Sequence, residues 1–251
     1  MRFLLLFFLA LSAPLLALVS IAPVDIGSDP GFGGNVSGSL SAKSGNTDKK
    51  EYLLGFRVQY DQGEEYLVWG TFSYNYGKNA GVKNENKIYG HVRAIYALEE
   101  ENDWCGELFV QLQQDEFKDI NKRSIEGAGV RWRFLDSDEC GQGYAGVGGI
   151  FERIDYSHPL INPSENNRRI NSYIAYTKNF SVSSKLSYVG YYQPKFRDSA
   201  DYVTSQTVEL IVPVYGKLNL SLLAKYLFDN RPPVGVEKKD TAYLTNLVWE
   251  F

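Results

Sequence analysis

The sequence predicts an all-β protein, an antiparallel transmembrane β-barrel of about twelve strands that follows an N-terminal signal peptide. Three features of the 251-residue chain support this class. The chain opens with a charged start and an apolar stretch, and most of the remainder alternates between apolar and polar residues with a period of two. It ends in an alternating, aromatic-rich strand. Helical periodicity is absent from the remainder, so the alternation indicates strands throughout.

The N-terminal segment has the form of a secretory signal. Met1 and Arg2 provide the charged start, and the residues from Phe3 to Ala17 are largely apolar. Candidate cleavage points lie between Ala17 and Ala22. We therefore assign residues 1–22 to the signal and residues 33–251 to one barrel domain, which we expect in the outer membrane of a Gram-negative cell.

Composition favours strands over helices in the exported part. No later apolar run approaches the roughly 20 residues that cross a bilayer as a helix. The chain contains 18 Tyr, 14 Phe, 4 Trp and 23 Gly but a single Met, a balance typical of strands and turns. A mean hydropathy of −0.28 does not separate soluble from membrane proteins, because the inward faces of a barrel are polar.

Alternation is clearest between Tyr52 and Tyr60, where Leu54 and Phe56 share the apolar face and Arg57 points to the other. Turn-forming residues divide the chain into twelve predicted strands. These lie at 33–43, 47–60, 64–77, 86–98, 103–114, 121–134, 142–153, 169–180, 184–195, 202–214, 217–228 and 240–251. An even number places both ends of a barrel on the periplasmic side.

The predicted connections fall into two alternating sets. The periplasmic set is mostly tight and lies at 61–64, 99–103, 136–143, 181–184 and 215–217. The external set is generally longer and lies at 77–86, 115–121, 154–168, 196–201 and 229–239, with the longest loop around 155–168. The exception is the tight link at 44–47, which should be the first external connection. Short turns on one rim and long loops on the other favour a barrel.

The last strand is the sharpest signal in the sequence. Its alternating face carries Tyr243, Thr245, Leu247, Trp249 and the final residue Phe251. This row resembles the closing strand of outer-membrane proteins, whose terminal Phe is read by the barrel assembly machinery. We therefore predict a barrel-assembly signal at Tyr243, Leu247, Trp249 and Phe251. The alternative is a half-buried edge strand that ends in Phe.

Charged residues lie on the faces opposite the apolar rows. Glu107 falls on the strand between those of Arg93 and Arg131, so opposite charges should pair across the wall. The predicted lumen network consists of Arg57, His91, Arg93, Glu107, Arg131, Arg133, Glu209 and Lys225. Such a network either lines a pore that selects solutes by charge or fills the lumen with salt bridges. The sequence leaves both interpretations open.

The two cysteines, Cys105 and Cys140, fall at or beside predicted periplasmic turns. Because an exported chain meets an oxidising compartment, we expect a disulfide between them. A bridge of this kind nominally contributes roughly 3–5 kcal/mol through the unfolded state. The alternative is two free thiols, which would follow if the strands hold the two Cα atoms more than about 7 Å apart.

Several function classes are disfavoured. A net charge of −4 and a pI near 5.4 argue against a nucleic-acid partner, which needs a concentrated basic surface. A lipase-type site would need a serine beside a histidine at the lipid-facing rim. Instead, His91 faces the lumen and His158 lies in a long loop. We therefore predict no enzyme, with no catalytic residues, cofactor or metal site, and treat the acidic runs at 99–101 and 136–139 as solvated turns.

The function that fits these observations is passive. We expect a small channel or a structural envelope protein whose partners are outer-membrane lipid, the barrel assembly machinery, and small ions or solutes. Two alternatives remain open at this point. One is an envelope hydrolase acting on lipid or peptide, and the other is a barrel whose external loops bind a ligand.

The first hairpin carries a family resemblance. The segments GNVSGSL at 34–40 and SGNT at 44–47 resemble the opening of the salt-induced outer-membrane protein family, which is defined as a domain of unknown function. The resemblance implies an outer-membrane barrel linked to salt or osmotic stress, and it supplies no catalytic residues. Independently of the family, glycines at 34 and 38 leave a smooth patch on the strand, and SGNT suits a tight turn.

Overall fold

The computed structural model describes residues 25–43, 49–180 and 184–251, with side chains from residue 50 onward in the second range and up to 40 in the first. The predicted signal at 1–22, the predicted turn at 44–47 and most of the turn at 181–184 lie outside the described residues. None of the described residues forms a helix long and apolar enough to cross a membrane.

Twelve antiparallel strands form one closed barrel, which confirms the predicted fold class. The strands are β1 Gly31–Lys43, β2 Lys49–Asp61, β3 Tyr66–Asn79, β4 Val82–Ala97, β5 Trp104–Asp115, β6 Ile120–Ser137, β7 Gly141–Tyr156, β8 Glu165–Asn179, β9 Lys185–Lys195, β10 Asp198–Tyr215, β11 Leu218–Asp229 and β12 Lys239–Glu250. Each strand pairs with its neighbours in sequence, and β1 pairs with β12 to close the barrel.

The alternation of side chains creates the two faces of the wall. Outward positions expose large apolar side chains, such as Leu108 at 64% and Ile174 at 56%. Inward positions on the same strands bury polar or aromatic groups, such as Glu107 and Tyr173. Because successive side chains of a strand point to opposite faces, this pattern follows directly from the period-two sequence. Glu126 on β6 is an exposed charge within the apolar outer surface.

Closure depends on a close approach between the two ends of the barrel. Residues 35–38 of β1 pair with residues 247–250 of β12. The pairing continues at Gly34 and Phe251, whose backbone N–H groups each donate to the other's carbonyl oxygen at 3.0 Å. An added Cβ at Gly34 would meet the Phe251 ring. The glycine therefore allows the terminal aromatic ring to lie against the first strand.

The barrel has two rims, which we name by what they carry. The terminal rim carries the start of β1, the end of β12 and the links after β2, β4, β6, β8 and β10. The distal rim carries the links after the odd-numbered strands up to β11. If both ends of the barrel face the periplasm, as the even strand count predicts, the distal rim faces outside.

The predicted loops on the distal rim were too long. The predicted loop 77–86 is mostly strand, because β3 continues to Asn79, β4 begins at Val82, and Ala80 and Gly81 form the turn with positive φ angles of 50° and 78°. Likewise β8 and β10 begin four residues earlier than predicted. At this rim the strands extend beyond their apolar rows, so polar residues there do not indicate loops.

Two longer distal connections are described, at 157–164 and 230–238. The prediction that 155–168 holds the longest loop was therefore wrong, since 230–238 spans more residues. The ladder between β7 and β8 pairs Ile154 with Glu165. Both ends of the predicted loop therefore belong to strands of the barrel wall.

Replacing Gly34 by alanine should destabilise the closed barrel by about 1–3 kcal/mol, the usual cost of overpacking. The added Cβ would lie 2.9 Å from Cζ of Phe251 and closer still to the carbonyl oxygen of Arg57. The matched control is Gly38→Ala, where the nearest atom, the carbonyl oxygen of Leu53, is 3.8 Å away. Urea titration of the refolded variants measures the change. Equal unfolding midpoints for the two variants would contradict the tight seam.

Candidate functional site in the lumen

The predicted lumen network divides into groups at different heights of the barrel. Six of its members are buried, namely Arg57, His91, Arg93, Glu107, Arg131 and Glu209. Arg133 and Lys225 are half-buried. Arg133 lies toward the terminal end of β6 and Lys225 toward the distal end of β11. The eight residues therefore belong to a central layer, a cluster at the terminal rim and a cavity in the distal half.

The central layer is organised around the ring of Trp69 on β3. The guanidinium carbon of Arg57 lies 4.5 Å from the ring centroid, and that of Arg93 lies 5.7 Å from it. The His91 ring stacks on the same indole at 4.9 Å. Cation–π contacts of this kind stabilise a desolvated guanidinium. The indole thus separates two arginines that would otherwise repel each other.

Glu107 pairs with Arg93 in the central layer. Its Oε1 lies 3.6 Å from Nη1 of Arg93 on the neighbouring strand. The Tyr173 hydroxyl, which comes from β8, donates to the same oxygen at 2.8 Å. Arg93 also lies over the ring of Phe109 at 4.8 Å. Because β8 is three strands away from β5, the contact between Tyr173 and Glu107 spans about a quarter of the barrel wall and fills that side of the lumen.

The segment Asp25–Pro30 folds into the mouth of the terminal rim, and we call it the N-terminal plug. Ile26 is buried at 6% exposure against a cluster of inward side chains. The cluster contains Leu67, Trp69, Ile95 and Cys105. The backbone N–H of Gly27 donates to both carboxylate oxygens of Asp61, at 3.0 and 2.9 Å. The plug is therefore fixed by one apolar anchor and one carboxylate.

Asp25 adds an ionic contact between the plug and the wall. Its Oδ2 lies 2.6 Å from Nη1 of Arg133, and its Oδ1 lies 3.7 Å from Nη2 of Arg131. The Arg131 guanidinium lies over the ring of Tyr144 at 4.6 Å. Leu67 is completely buried beneath these groups. The terminal half of the lumen is therefore packed with side chains, as the filled-lumen interpretation expects.

Sequence reasoning did not find the plug. Asp25 and Ile26 fall between the predicted signal and the first predicted strand, where no periodicity assigns a role. The sequence places Asp61 in a predicted turn. Its side chain is instead buried, and it also accepts a hydrogen bond from Gly63 N–H at 2.9 Å. A carboxylate that ends a strand gives no local sign that a distant segment docks on it.

The distal half of the lumen contains a cavity of about 430 Å³. Its floor is the distal surface of the central layer, with His91, Arg93 and Phe109, and Tyr191 lies beside them. The roof includes Pro233 and other residues of the link 230–238. A volume of this size is within the usual range of small-molecule sites, roughly 300–1,000 Å³. The distal half therefore fits the open interpretation of the lumen.

The cavity wall is held by a salt-bridge network. Glu152 contacts Arg123 at short distance and accepts from Nε of Arg169 at 3.1 Å. Asp201 lies 2.9 Å from Nη1 of Arg169 and 3.5 Å from Nζ of Lys195. These five residues come from β6, β7, β8, β9 and β10, so the network braces five consecutive strands. None of the five was in the predicted lumen network.

The distal links are tied to each other over the cavity. Nδ2 of Asn162 donates to Oδ2 of Asp119 at 2.7 Å, and the N–H of Val234 donates to Oδ1 of Asn162 at 2.9 Å. His158 Nδ1 lies 2.6 Å from Oδ1 of Asp119. Although burial acts to raise the pKa of Asp119, hydrogen bonds from Asn162 and His158 outweigh it and hold that pKa below its ordinary value. Asn162 is buried and acts as the clasp.

The predicted disulfide is not formed, because both cysteines are free. Cys105 is buried and lies opposite Arg131 in the ladder between β5 and β6. Cys140 is exposed in the turn beyond Ser137, where β6 ends. From Arg131 to Ser137 the strand rises by roughly 20 Å at about 3.3 Å per residue. The two sulfurs therefore lie at different heights, far beyond bridging distance.

The barrel-assembly residues share one exposed outward row on β12. Tyr243 is 72% exposed, and Leu247, Trp249 and Phe251 are each slightly more than half exposed. The row faces away from the lumen and ends at the seam with Gly34. This placement fits the predicted signal, whose recognition by the assembly machinery stays a prediction.

A family model described as "Protein of unknown function, DUF481" matches residues 36–251. The match extends from the first strand to the last residue, so it covers nearly the whole barrel. The description names no activity and no stress response. No curated protein matches the sequence.

Several solved structures resemble the chain. A NanC porin structure has 12% identity and a TM-score of 0.48, covering 86% of this chain and 97% of that one. The beta domain of the Bordetella autotransporter BrkA has 10% identity and a TM-score of 0.41, covering 88% and 98%. The translocator domain of autotransporter NalP from Neisseria meningitidis has 8% identity and a TM-score of 0.43, covering 88% and 87%. Likenesses at this level give no evidence of a shared function.

The two thiols should differ sharply in reactivity. Without reductant, a membrane-impermeant maleimide should modify Cys140 in the folded barrel and leave Cys105 unmodified, because only Cys140 is exposed. Both should react after denaturation. Mass spectrometry of the labelled protein counts the modified sites. A denatured, unreduced sample in which neither cysteine reacts would show that the bridge forms after all.

Proposed function

We propose, for a chain that belongs to the DUF481 family of proteins of unknown function, that the barrel spans the outer membrane of a Gram-negative cell. In this role it passes small ions or solutes passively. The outward apolar rows support the location, since they would lie in lipid while the strands pair into a closed barrel. A cluster of tilted aromatic rings near the distal rim, where Tyr202 lies 5.6 Å from Tyr192 and 5.9 Å from Phe228, suits a lipid interface.

The observation that carries the proposal is the distal cavity above a packed terminal half. The cavity lets a solute enter the lumen from the distal rim as far as Arg93 and Phe109. Below that level, passage requires the side chains of the central layer and the plug around Ile26 to move. A barrel built in this way is a restricted channel, whose flux depends on how firmly the plug is held.

Asp61 is one of three anchors that hold the plug, beside the buried Ile26 and the ion pairs of Asp25. Besides both bonds from Gly27, its carboxylate accepts the N–H of Asp29 at 3.3 Å. Hydrogen bonds to a charged group contribute about 1.5–3 kcal/mol each at most. Their loss is small enough to release a short segment without unfolding a twelve-stranded wall.

A passive role also fits the two histidines. The His91 ring stacks between those of Trp69 and Phe109, at 4.9 and 5.8 Å, on the lumen side of the barrel wall and away from lipid. His158 is engaged with Asp119 in the clasp between distal links. Each ring therefore has a packing or tethering role. We therefore propose that neither histidine is catalytic and that the protein is not an enzyme.

Two further parts of the proposal concern biogenesis and physiology. The outward row at Tyr243, Leu247, Trp249 and Phe251 is proposed to be read by the barrel assembly machinery. A link to salt or osmotic stress rests on the resemblance at 34–47 alone. Expression measured across a range of external salt concentrations tests that link directly.

Single-channel recording in planar bilayers tests the channel. Wild-type protein should show small, infrequent openings, and Asp61→Ala should raise the open fraction several-fold because the plug loses its carboxylate anchor. The matched control is Asp138→Ala, which removes an exposed carboxylate from the turn between β6 and β7 on the same rim. That control should conduct like the wild type.

Two outcomes of the recordings would overturn the proposal. Silence from both Asp61→Ala and wild type, with correct insertion shown by heat-modifiable gel mobility, would indicate a structural barrel. An equal rise in Asp138→Ala would show that the plug contact at Asp61 does not control conduction.

The location can be tested by the depth dependence of an introduced charge. Leu222 lies outward near the middle of β11, where Leu222→Arg should lower the free energy of unfolding in lipid vesicles by about 2–4 kcal/mol. Tyr215→Arg, at the terminal rim, should cost at most about 1 kcal/mol. Denaturant titration in vesicles measures both. Equal costs at the two depths would contradict a membrane-spanning outer surface.

A further inference from the structure

The charge of the distal cavity is opposite to that of the whole chain. The chain has a net charge of −4. Among the residues that line the cavity, nine are lysine or arginine and six are aspartate or glutamate, an excess of three positive charges. An enclosed basic site in an acidic protein attracts anions, because low-dielectric walls focus the local field.

Three of the six carboxylates of the cavity, those of Glu152, Asp201 and Asp240, already form salt bridges. Glu152 is held by Arg123 and Arg169, as described above. Asp240, at the start of β12, lies 2.7 Å from Nζ of Lys118. Of the nine cations that line the cavity, seven have a carboxylate at salt-bridge distance. The two without one among the described residues are Lys225 and Lys238.

Lys225 is one of two cavity cations, together with Lys238, for which the described residues show no carboxylate partner at salt-bridge distance. It lines the cavity from β11, and the charges of Lys87 and of Asp115 both act on it. Lys87, in contrast, pairs with Asp115, and its Nζ lies 3.6 Å from Oδ2 of that carboxylate. Since β4 and β11 are five strands apart in the barrel, Lys87 and Lys225 approach the cavity from opposite walls.

The cavity floor offers the second half of a binding site. The aromatic rings of Tyr89, Phe109 and Tyr191 line it beside the lysines. The Tyr89 hydroxyl donates to Oε1 of Gln111 at 3.2 Å, so an amide and a phenol also face the space. Aromatic faces with a few polar groups are typical of sites that bind small organic molecules.

We infer that the distal cavity binds a small organic anion, with its carboxylate or phosphate toward Lys225 and Lys87 and its less polar face on the aromatic floor. A ligand with a negative group would supply the partner that Lys225 otherwise lacks. This inference deepens the proposed function, because it names the class of solute, and it rests on that function only for the route by which the solute arrives.

Calorimetric titration of the refolded barrel in neutral detergent tests the inference. The probes are glucuronate, glucose 6-phosphate and glucose, which share a ring and differ in the charged group. We expect both anions to bind at least tenfold more tightly than glucose, and their affinity to fall as sodium chloride is raised. The ratio between the two anions distinguishes carboxylate from phosphate recognition.

Variants at Lys225 assign the contact. Lys225→Gln should weaken binding of the preferred anion about tenfold or more, since it removes a charge-assisted hydrogen bond without leaving a carboxylate unpaired. Lys225→Arg should retain most of the affinity. Lys217→Gln, which removes an exposed lysine from the terminal rim, should bind like the wild type. Heat-modifiable mobility confirms that each variant is folded.

Binding and conduction can fail separately. Glucose binding as tightly as the anions, no detectable binding of either anion, or an unchanged affinity in folded Lys225→Gln would overturn the inference. A barrel that is silent in planar bilayers but binds the anion through Lys225 would overturn the proposed channel and leave the anion site standing. A barrel that conducts but does not bind the anion would overturn the anion site and leave the proposed channel standing.

Discussion

The hydrogen-bonded seam between β1 and β12 is the constraint on which the rest of the molecule depends. An open sheet of this size would expose two edges of unpaired N–H and C=O groups, each costly in an apolar surrounding. The reciprocal 3.0 Å bonds between Gly34 and Phe251 extend the pairing to the last residue of the chain. In the closed barrel, every strand has one face that points into the lumen.

That enclosure explains the chemistry of the interior. A lumen of about this strand number has room for side chains and at most a modest cavity, so inward charges must find partners. Arg93, Glu107 and Tyr173 satisfy one another across the central layer, and Glu152 satisfies two arginines in the distal wall. Such pairs hold strands together from inside. They stabilise the barrel mainly because leaving one member unpaired would be expensive.

The two ends of the lumen differ because different parts of the chain close them. At the terminal rim, the plug inserts Ile26 among apolar side chains and fixes it through Asp25 and Asp61. At the distal rim, the links are tied through Asn162 above a basic cavity that stays open inside. A molecule that enters from the distal side meets cations and aromatic rings first. The two ends of the lumen therefore present different side chains to a molecule that enters, whereas a uniform pore would present the same ones.

The sequence by itself determined the number of strands and the faces of the residues in the clearly alternating ones, because the period-two alternation is a local property of the chain. The inward orientation of Arg57, Arg93 and Glu107 and the outward row ending at Phe251 follow from that alternation alone. Only the tertiary structure decided which inward residues meet. The plug, the separation of Cys105 from Cys140, and the approach of Lys87 to Lys225 depend on strand height and on distances across the lumen. Closure sets those distances, and no local pattern encodes them.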